Sequence, residues 1–324
     1  MEHFRKILNR PIPVGDDDIP EAADNLDINT VVPEKEEVIK AIKSLRNGKA
    51  PEHDNLNTEL FKADPELAAI ILQPLIAVIW EGEEVPADLT ERVIIRIPEK
   101  GVLSNCNNWR GIRLLSVPSK ILAKIVTKRV LNAVDAGMRK KQAGFKKEWR
   151  CTDQISKLRN IIGQCTEWQR QLYIYFVDSE KAFDSTHRDS LRCILRAYGI
   201  PLRIVQIIKN FYHNFTCSVG SSSLNSQIKT GVRQGCVLFA VLFNLVIDWV
   251  MRRTTEDQPR GISWTLFDTL EDLDFADDLA LLSHIRARED MPSQQAWSTG
   301  RAANQQEKNR GHDLGRECSS TSLA

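Results

Sequence analysis

Hydrophobic positions recur along the chain in two periods, and they divide it into helices and strands. Val38, Ile39, Ile42 and Leu45 repeat at helical spacing, and Asn47-Gly48 ends that run. Leu67 to Trp80 is a second helical segment, expected to be mostly buried, with Gln73-Pro74 inside it. Arg92 to Pro98 alternates apolar and basic residues, as a half-buried strand does. The next helix is predicted from Ser119 to about Val134. Its Leu122, Val126 and Val130 face inward, and Lys120, Lys124 and Lys128 form an outward stripe.

Tyr173 to Val177 is an aromatic and β-branched run of strand length. Thr186 and Asp189 then stand at capping-box spacing ahead of the stripe Leu191, Ile194, Leu195 and Tyr198, and Gly199 stops that helix. Pro201 opens another helix through about Tyr212. Two strands, Phe215 to Val219 and Leu224 to Thr230, flank residues 220–223, and Val237 to Met251 reads as a buried helix. Leu273 to Phe275 and Leu279 to Leu282 form a hairpin with Ala276-Asp277-Asp278 at its bend.

The ends differ from this pattern. Residues 1–30 are acidic and proline-bearing and read as a flexible leader, followed by a helical extension over 31–90. Residues 285–324 hold only Ile285, Met291, Trp297, Leu314 and Leu323 as large apolar side chains, too few to offset the entropy of ordering them, so disorder is expected there. Spanning a bilayer takes roughly 20 apolar residues. The runs at 67–80 and 237–251 are interrupted by Gln73-Pro74 and by Asn244 and Asp248, so no membrane partner is expected. The first residues carry no basic-then-apolar signal pattern. The seven cysteines include no C-x-x-C pair, which excludes the usual structural zinc sites and makes a disulfide framework improbable. A reduced, intracellular setting follows, nuclear or cytoplasmic. No heptad run or repeat indicates an oligomeric state.

Net charge of +1 conceals an asymmetry. Residues 1–90 hold 9 Lys+Arg against 19 Asp+Glu, residues 91–150 hold 15 against 4, and the rest holds 20 of each. A basic block of this size points to a polyanion such as nucleic acid, or equally to a solvated basic surface.

Candidate chemistry lies in carboxylates. Asp178 ends an apolar strand, and Asp277-Asp278 occupy a hairpin bend between apolar runs. Adjacent carboxylates repel, and apolar neighbours raise the cost of their charge. A divalent cation removes that penalty, because Mg²⁺ takes oxygen ligands from one or two carboxylates together with substrate phosphates. If Asp178 and Asp277 converge, they can hold two ions roughly 3.5–4 Å apart for an in-line phosphoryl displacement. An acidic turn for Asp277-Asp278 and a helix N-cap for Asp178 are the plain alternatives.

Five segments occur in one order: Asn108-Trp109-Arg110-Gly111-Ile112; Gln142-Ala143-Gly144-Phe145 with Cys151-Thr152-Asp153-Gln154-Ile155; Phe176 to Asp184; Gly231 to Cys236; and Phe275-Ala276-Asp277-Asp278. Together they resemble the fingers and palm motifs of reverse transcriptases from non-LTR (LINE-type) retrotransposons, over about 33–284. The resemblance implies that Asp178 and Asp277 bind metal, with Asp278 beside them. It implies that Phe183 lies under the incoming sugar and rejects a 2′-hydroxyl, that Gln234 lies against the nucleotide, and that Arg110 and Lys100 reach the triphosphate. The implied reaction is nucleotidyl transfer from a dNTP to a primer 3′-hydroxyl on an RNA template, with two Mg²⁺ ions, or Mn²⁺ in their place. The implied partners are template RNA, DNA primer and dNTPs.

The implied fold is α+β, a right-hand polymerase with fingers over 91–170 and a palm over 171–284. Its small antiparallel palm sheet would be backed by helices. The sequence departs from the family pattern where Phe239-Ala240 replaces a Ser-Pro or Ser-Ala pair, where Glu148-Trp149-Arg150 replaces a Gly- and Arg-bearing turn, and where Glu52 replaces Gly. The pattern stops after His284, so the thumb is expected to be missing and the tail to be aberrant. A catalytically inactive remnant that only binds nucleic acid is the alternative this leaves open.

Overall fold

The structure is a computed structural model that describes residues 19–49, 51, 54–82, 84–86, 89, 92–98, 102, 104, 108–113, 115–139, 141–145, 149–177, 186–212, 216–219, 226–227, 237–255, 261–264, 269–285 and 311–312. The chain forms two compact units that interleave in sequence. One comprises Met1–Gly137 with Phe183–Phe243, and the other Met138–Ala182 with Asn244–Ala324. Tyr173–Val177 and Gln142 both pair with the hairpin near residue 277, within the second unit.

In the first unit, helices α1 (Lys35–Lys43), α2 (Thr58–Ala63), α3 (Pro65–Gly82) and α4 (Val117–Val134) bury the apolar positions read from the sequence, among them Val38, Ile42, Leu122, Val126 and Val130. Ser116, rather than Ser119, caps α4: its hydroxyl accepts the Ser119 N–H at 3.4 Å. The helix therefore begins two residues earlier than predicted, with Pro118 in its first turn. Arg129, buried on α4, pairs with Glu37 at 2.6 Å, donates to the Asn29 and Val31 carbonyls and stacks over Trp80. Residues 19–30, expected to be loose, are tied down: the Ala22 N–H donates to the Arg196 carbonyl at 3.2 Å and the Leu26 N–H to the Gly199 carbonyl at 2.6 Å.

Helix α3 runs unbroken through Pro74 as the helical reading expects, but it is not mostly buried: Leu67, Ile70, Ile71 and Val78 are exposed. Pro74 deprives the Ile70 carbonyl of its donor, and both residues are exposed, so water can serve that carbonyl. By length and composition α3 is long and apolar enough to cross a membrane, although 33% of the stretch is buried inside the protein.

A mixed four-stranded sheet completes this unit, in the order β2 (Trp109–Arg113), β1 (Arg92–Pro98), β4 (Thr216–Val219), β5 (Ser226–Gln227). Strands β1 and β4 are parallel, and the other pairs are antiparallel. The next helices are α6 (Arg188–Ala197) and α7 (Leu202–Tyr212), with the shorter-numbered α5 (Cys151–Glu167) belonging to the second unit. The N-cap of α6 is His187, with no side-chain cap bond, so the Thr186–Asp189 box predicted from sequence does not form. Asp189 pairs instead with Arg192 one turn on.

The second unit is built on a sheet ordered β10 (Gly311–His312), β3 (Tyr173–Val177), β9 (Asp278–Ser283), β8 (Asp272–Phe275), antiparallel throughout. The strand at Gly311–His312 departs from the structureless tail expected over 285–324; most of that tail lies outside the described residues. Ile161 of α5 packs with Leu172, Ile174, Ile262, Leu273, Ala280 and Leu282 to form the core. A short ribbon, β6 (Ile262–Ser263) with β7 (Thr269–Leu270), leads into β8. Helix α8 (Val237–Thr255) is buried along most of its length, as its apolar run predicts.

Candidate active site

Strands β8 and β9 are joined by the two residues between the Phe275–Asp278 pair, namely Ala276 and Asp277. Ala276 has φ +57°, a left-handed conformation that costs an L-residue roughly 1–2 kcal/mol. The residues holding it come from the segment 142–144. The Gln142 side chain takes both backbone groups of Ala276: its Oε1 accepts the Ala276 N–H at 2.8 Å, and its Nε2 donates to the Ala276 carbonyl at 3.1 Å. The same Oε1 accepts the Gly144 N–H at 2.7 Å. The Ala143 N–H donates to the Asp274 carbonyl at 2.9 Å, so this segment extends the β8 ladder by one parallel bridge. Only glycine fits at 144, because a Cβ there would stand 2.1 Å from the Ala276 nitrogen.

Two further amides support this contact. Gln154 on α5 donates through Nε2 to the Lys141 carbonyl at 2.9 Å and the Asp274 carbonyl at 3.1 Å. Asn244 on α8 donates to the Gly144 carbonyl at 3.1 Å.

Below the turn lies a buried charge cluster. Arg139 forks onto both carboxylate oxygens of Asp272, and Lys141 stands 3.4 Å from Asp272. Arg139 also approaches Asp274 at 3.6 Å, and its backbone N–H donates to Asp248 at 2.7 Å. Asp248 in turn accepts from Arg252 at 2.8 Å. The side chains of Asp272 and Asp274 are fully buried. No described donor gives a proton to either Asp274 oxygen. Burial, then the charge of Asp272 and a hydrogen bond to it, push the Asp274 carboxyl well above the usual range, and Arg139 and Lys141 only partly oppose this.

The sequence-predicted site residues fall as follows. Asp277 is half-buried at the turn and Asp278 is exposed beside it. Asp178 lies outside the described residues; Val177, before it in sequence, pairs with Leu279. Arg110 is on β2 opposite Ile97, in the first unit. Phe183, Gln234 and Lys100 lie outside the described residues. Phe239, which departs from the family pattern, is buried and stacks on Phe243 with ring centroids 6.1 Å apart. Of the lysine stripe, Lys124 is already engaged, donating to the Ser44 carbonyl and hydroxyl at 2.8 Å each.

Sequence reading missed Arg139, Asp248, Asp272 and Asp274, and it took Gln142 and Gly144 only as motif members. The available signal was acidic residues alternating with Leu273 and Phe275 in a strand, where solvated filling would not be expected on both faces. Among the described residues no three His, Cys, Asp or Glu side chains converge as a metal cluster. The turn supplies two carboxylates and no sulfur or imidazole, a donor chemistry that fits Mg²⁺ or Mn²⁺ once a third carboxylate joins it.

The second unit is thus a mixed helix-and-strand arrangement that carries two adjacent carboxylates on a tight hairpin. Residues 97–303 match the family model described as reverse transcriptase (RNA-dependent DNA polymerase), and the chain belongs to that family. It is 26% identical over 216 residues to the transposon TX1 uncharacterized 149 kDa protein of Xenopus laevis, covering 66% of this chain and 16% of that protein. It is 27% identical over 222 residues to the Pol polyprotein of the type-2 retrotransposable element R2DM of Drosophila melanogaster, covering 68% and 20%. Identity reaches 38% over 131 residues to a type-1 element R2 polyprotein of Popillia japonica, covering 39% and 20%. The kinship is with non-LTR retrotransposon reverse transcriptases, which makes the chain a nucleotidyltransferase by ancestry. The chain spans about a fifth of the length of these relatives.

Proposed function

We propose that this chain is the reverse transcriptase region of a non-LTR retrotransposon polymerase, adding deoxynucleotides to a primer on an RNA template. The observation that carries the reading is the hairpin in a chain of this family: Asp277-Asp278 stand at its turn, and β3, which pairs with β9, ends at Val177, the residue before Asp178 in sequence.

In this reading the second unit contains the palm and the β1–β2 sheet the fingers. Asp178, Asp277 and Asp278 would hold two divalent ions, Mg²⁺ or Mn²⁺, which supply charge neutralisation at the reacting phosphate and the 3′-oxygen. The primer 3′-oxygen attacks the α-phosphorus of the dNTP, and the bond to the bridging oxygen of pyrophosphate breaks. Arg110 presents a planar, permanently charged fork to the triphosphate oxygens, and Lys100 adds a point charge. Gln234 packs against the nucleotide, and Phe183 fills the space a 2′-hydroxyl would need. The basic block at 91–150 tracks template phosphates, which predicts salt-sensitive binding. The setting is intracellular, nuclear or cytoplasmic, in keeping with cysteines whose spacing includes no C-x-x-C pair.

The test is incorporation of a single nucleotide into a DNA primer annealed to RNA, with each of the four dNTPs offered separately. Extension only by the nucleotide complementary to the template supports the reading. Retention of template without extension would leave a nucleic-acid binder in its place.

A further inference from the structure

We propose that Gln142 is a positioning residue for catalysis, one that fixes the backbone of the turn carrying Asp277 and Asp278. The inference rests on the polymerase reading for its consequence, but not for its geometry. A two-residue hairpin turn with a left-handed first residue ordinarily carries Gly there, and this one carries Ala276. Left to itself, the turn would relax toward φ < 0 and redirect the two carboxylates that follow. One side chain blocks that relaxation. Gln142 accepts from the N–H and donates to the carbonyl of the same left-handed residue, at 2.8 and 3.1 Å, so both peptide planes flanking Ala276 are held.

The amide of Gln142 is itself held. Its Oε1 takes a second proton from the Gly144 N–H, and the Gln142 backbone is bridged to Asp274. Gln154 then ties Lys141, the residue before Gln142, to the Asp274 carbonyl. The missing Cβ at Gly144 allows the whole segment to approach Ala276 this closely. Two segments more than 130 residues apart in sequence thus share one rigid backbone contact, and the clamp sits immediately before the carboxylates without touching substrate. A glutamine is suited to this task because its planar amide offers an acceptor and a donor side by side; glutamate in its charged form loses the donor.

The experiment compares the full chain with Gln142→Met, which keeps the side-chain length and removes the amide, and with Gln142→Glu. Amide hydrogen exchange by mass spectrometry reads the turn, and single-nucleotide incorporation reads the consequence. In Gln142→Met, exchange within 275–279 should rise at least about tenfold while peptides covering β3 and α5 change less than about twofold. The rate constant for incorporation should fall by about tenfold or more with the KM for dNTP nearly unchanged. Gln142→Glu should recover protection of the turn as pH falls and its carboxyl gains a proton to donate. Unchanged exchange at 275–279 in Gln142→Met would overturn the proposal, and so would a uniform rise across the second unit. A parent chain that extends no primer sinks the polymerase reading, and the exchange comparison still decides whether Gln142 holds the turn.

Discussion

Val177 and Leu279 pair across β3 and β9, next to the exposed Asp278. A register slip of one residue would turn the apolar set Ile174, Leu273, Ala280 and Leu282 out of the core. Burial of those side chains therefore fixes which residues stand at the end of the sheet. The charge at that end is a consequence of packing some 10 Å or more away along the strands, at about 3.3 Å per residue.

Gly144→Ala should be among the most damaging small substitutions in the chain. Its Cβ would meet the backbone nitrogen and Cα of Ala276 at 2.1 and 2.6 Å and Gln142 Oε1 at 2.8 Å, and the Ala276 backbone has no flexible end to move aside. A loss of about 2–4 kcal/mol is expected from overpacking of this kind. Urea denaturation checks it, and a loss no larger than that of Gly163→Ala, where nothing lies within 4 Å, would contradict the packing described.

Ala276→Gly should act in the other direction. The substitution removes the left-handed penalty at φ +57° and adds the chain entropy of glycine, for a net gain of up to about 1 kcal/mol. Thermal melting reads this directly; a clear destabilisation would mean that Ala276 is not strained in the native turn.

Arg139→Ala should cost about 3–5 kcal/mol, because it leaves Asp272 charged and buried with only Lys141 nearby. The double substitution Arg139→Met with Asp272→Leu should recover a large part of that loss, since no buried charge of the pair then lacks a partner. Urea midpoints of the single and double variants decide the point; equal losses in both would show that the pair matters for its shape and not its charge.

Asp274 gives the chain a pH dependence of definite sign. Its native pKa is raised by burial above the 3.8 of the free side chain, so the native state holds a proton that the unfolded chain releases. The stability contributed by this group is complete below 3.8 and is lost as pH rises through the raised native value. Asp274→Asn keeps the neutral shape and removes the titration, so its urea midpoint should fall less than the parent's between about pH 5 and pH 8. Parallel declines in both proteins would contradict the assignment.

Much of this was legible in the sequence. The alternation of Tyr173–Val177 and the apolar runs around Asp277-Asp278 specify strands, and the strands formed with the antiparallel pairing expected. Helix ends were less legible. Ser116 rather than Ser119 caps α4, and His187 stands where Thr186 was expected, because a cap depends on which carbonyl starts the ladder and not on residue type alone. The exposure of Ile70, Ile71 and Val78 on α3 was illegible because an apolar run does not show which of its faces the fold covers. The clamp on Ala276 was illegible for a further reason. Gln142 and Ala276 have no local signal linking them, and only the folded sheet brings an amide to a strained backbone.

The central claim is that Asp178 and Asp277 act together in nucleotide addition. Its most direct test is primer extension on an RNA template in Mg²⁺, comparing the parent chain with Asp277→Ala and Asp178→Ala at matched template retention. The account predicts templated extension by the parent and a loss of at least about a thousandfold in each variant, with template binding unchanged. Extension by either variant at a rate near the parent's would contradict it.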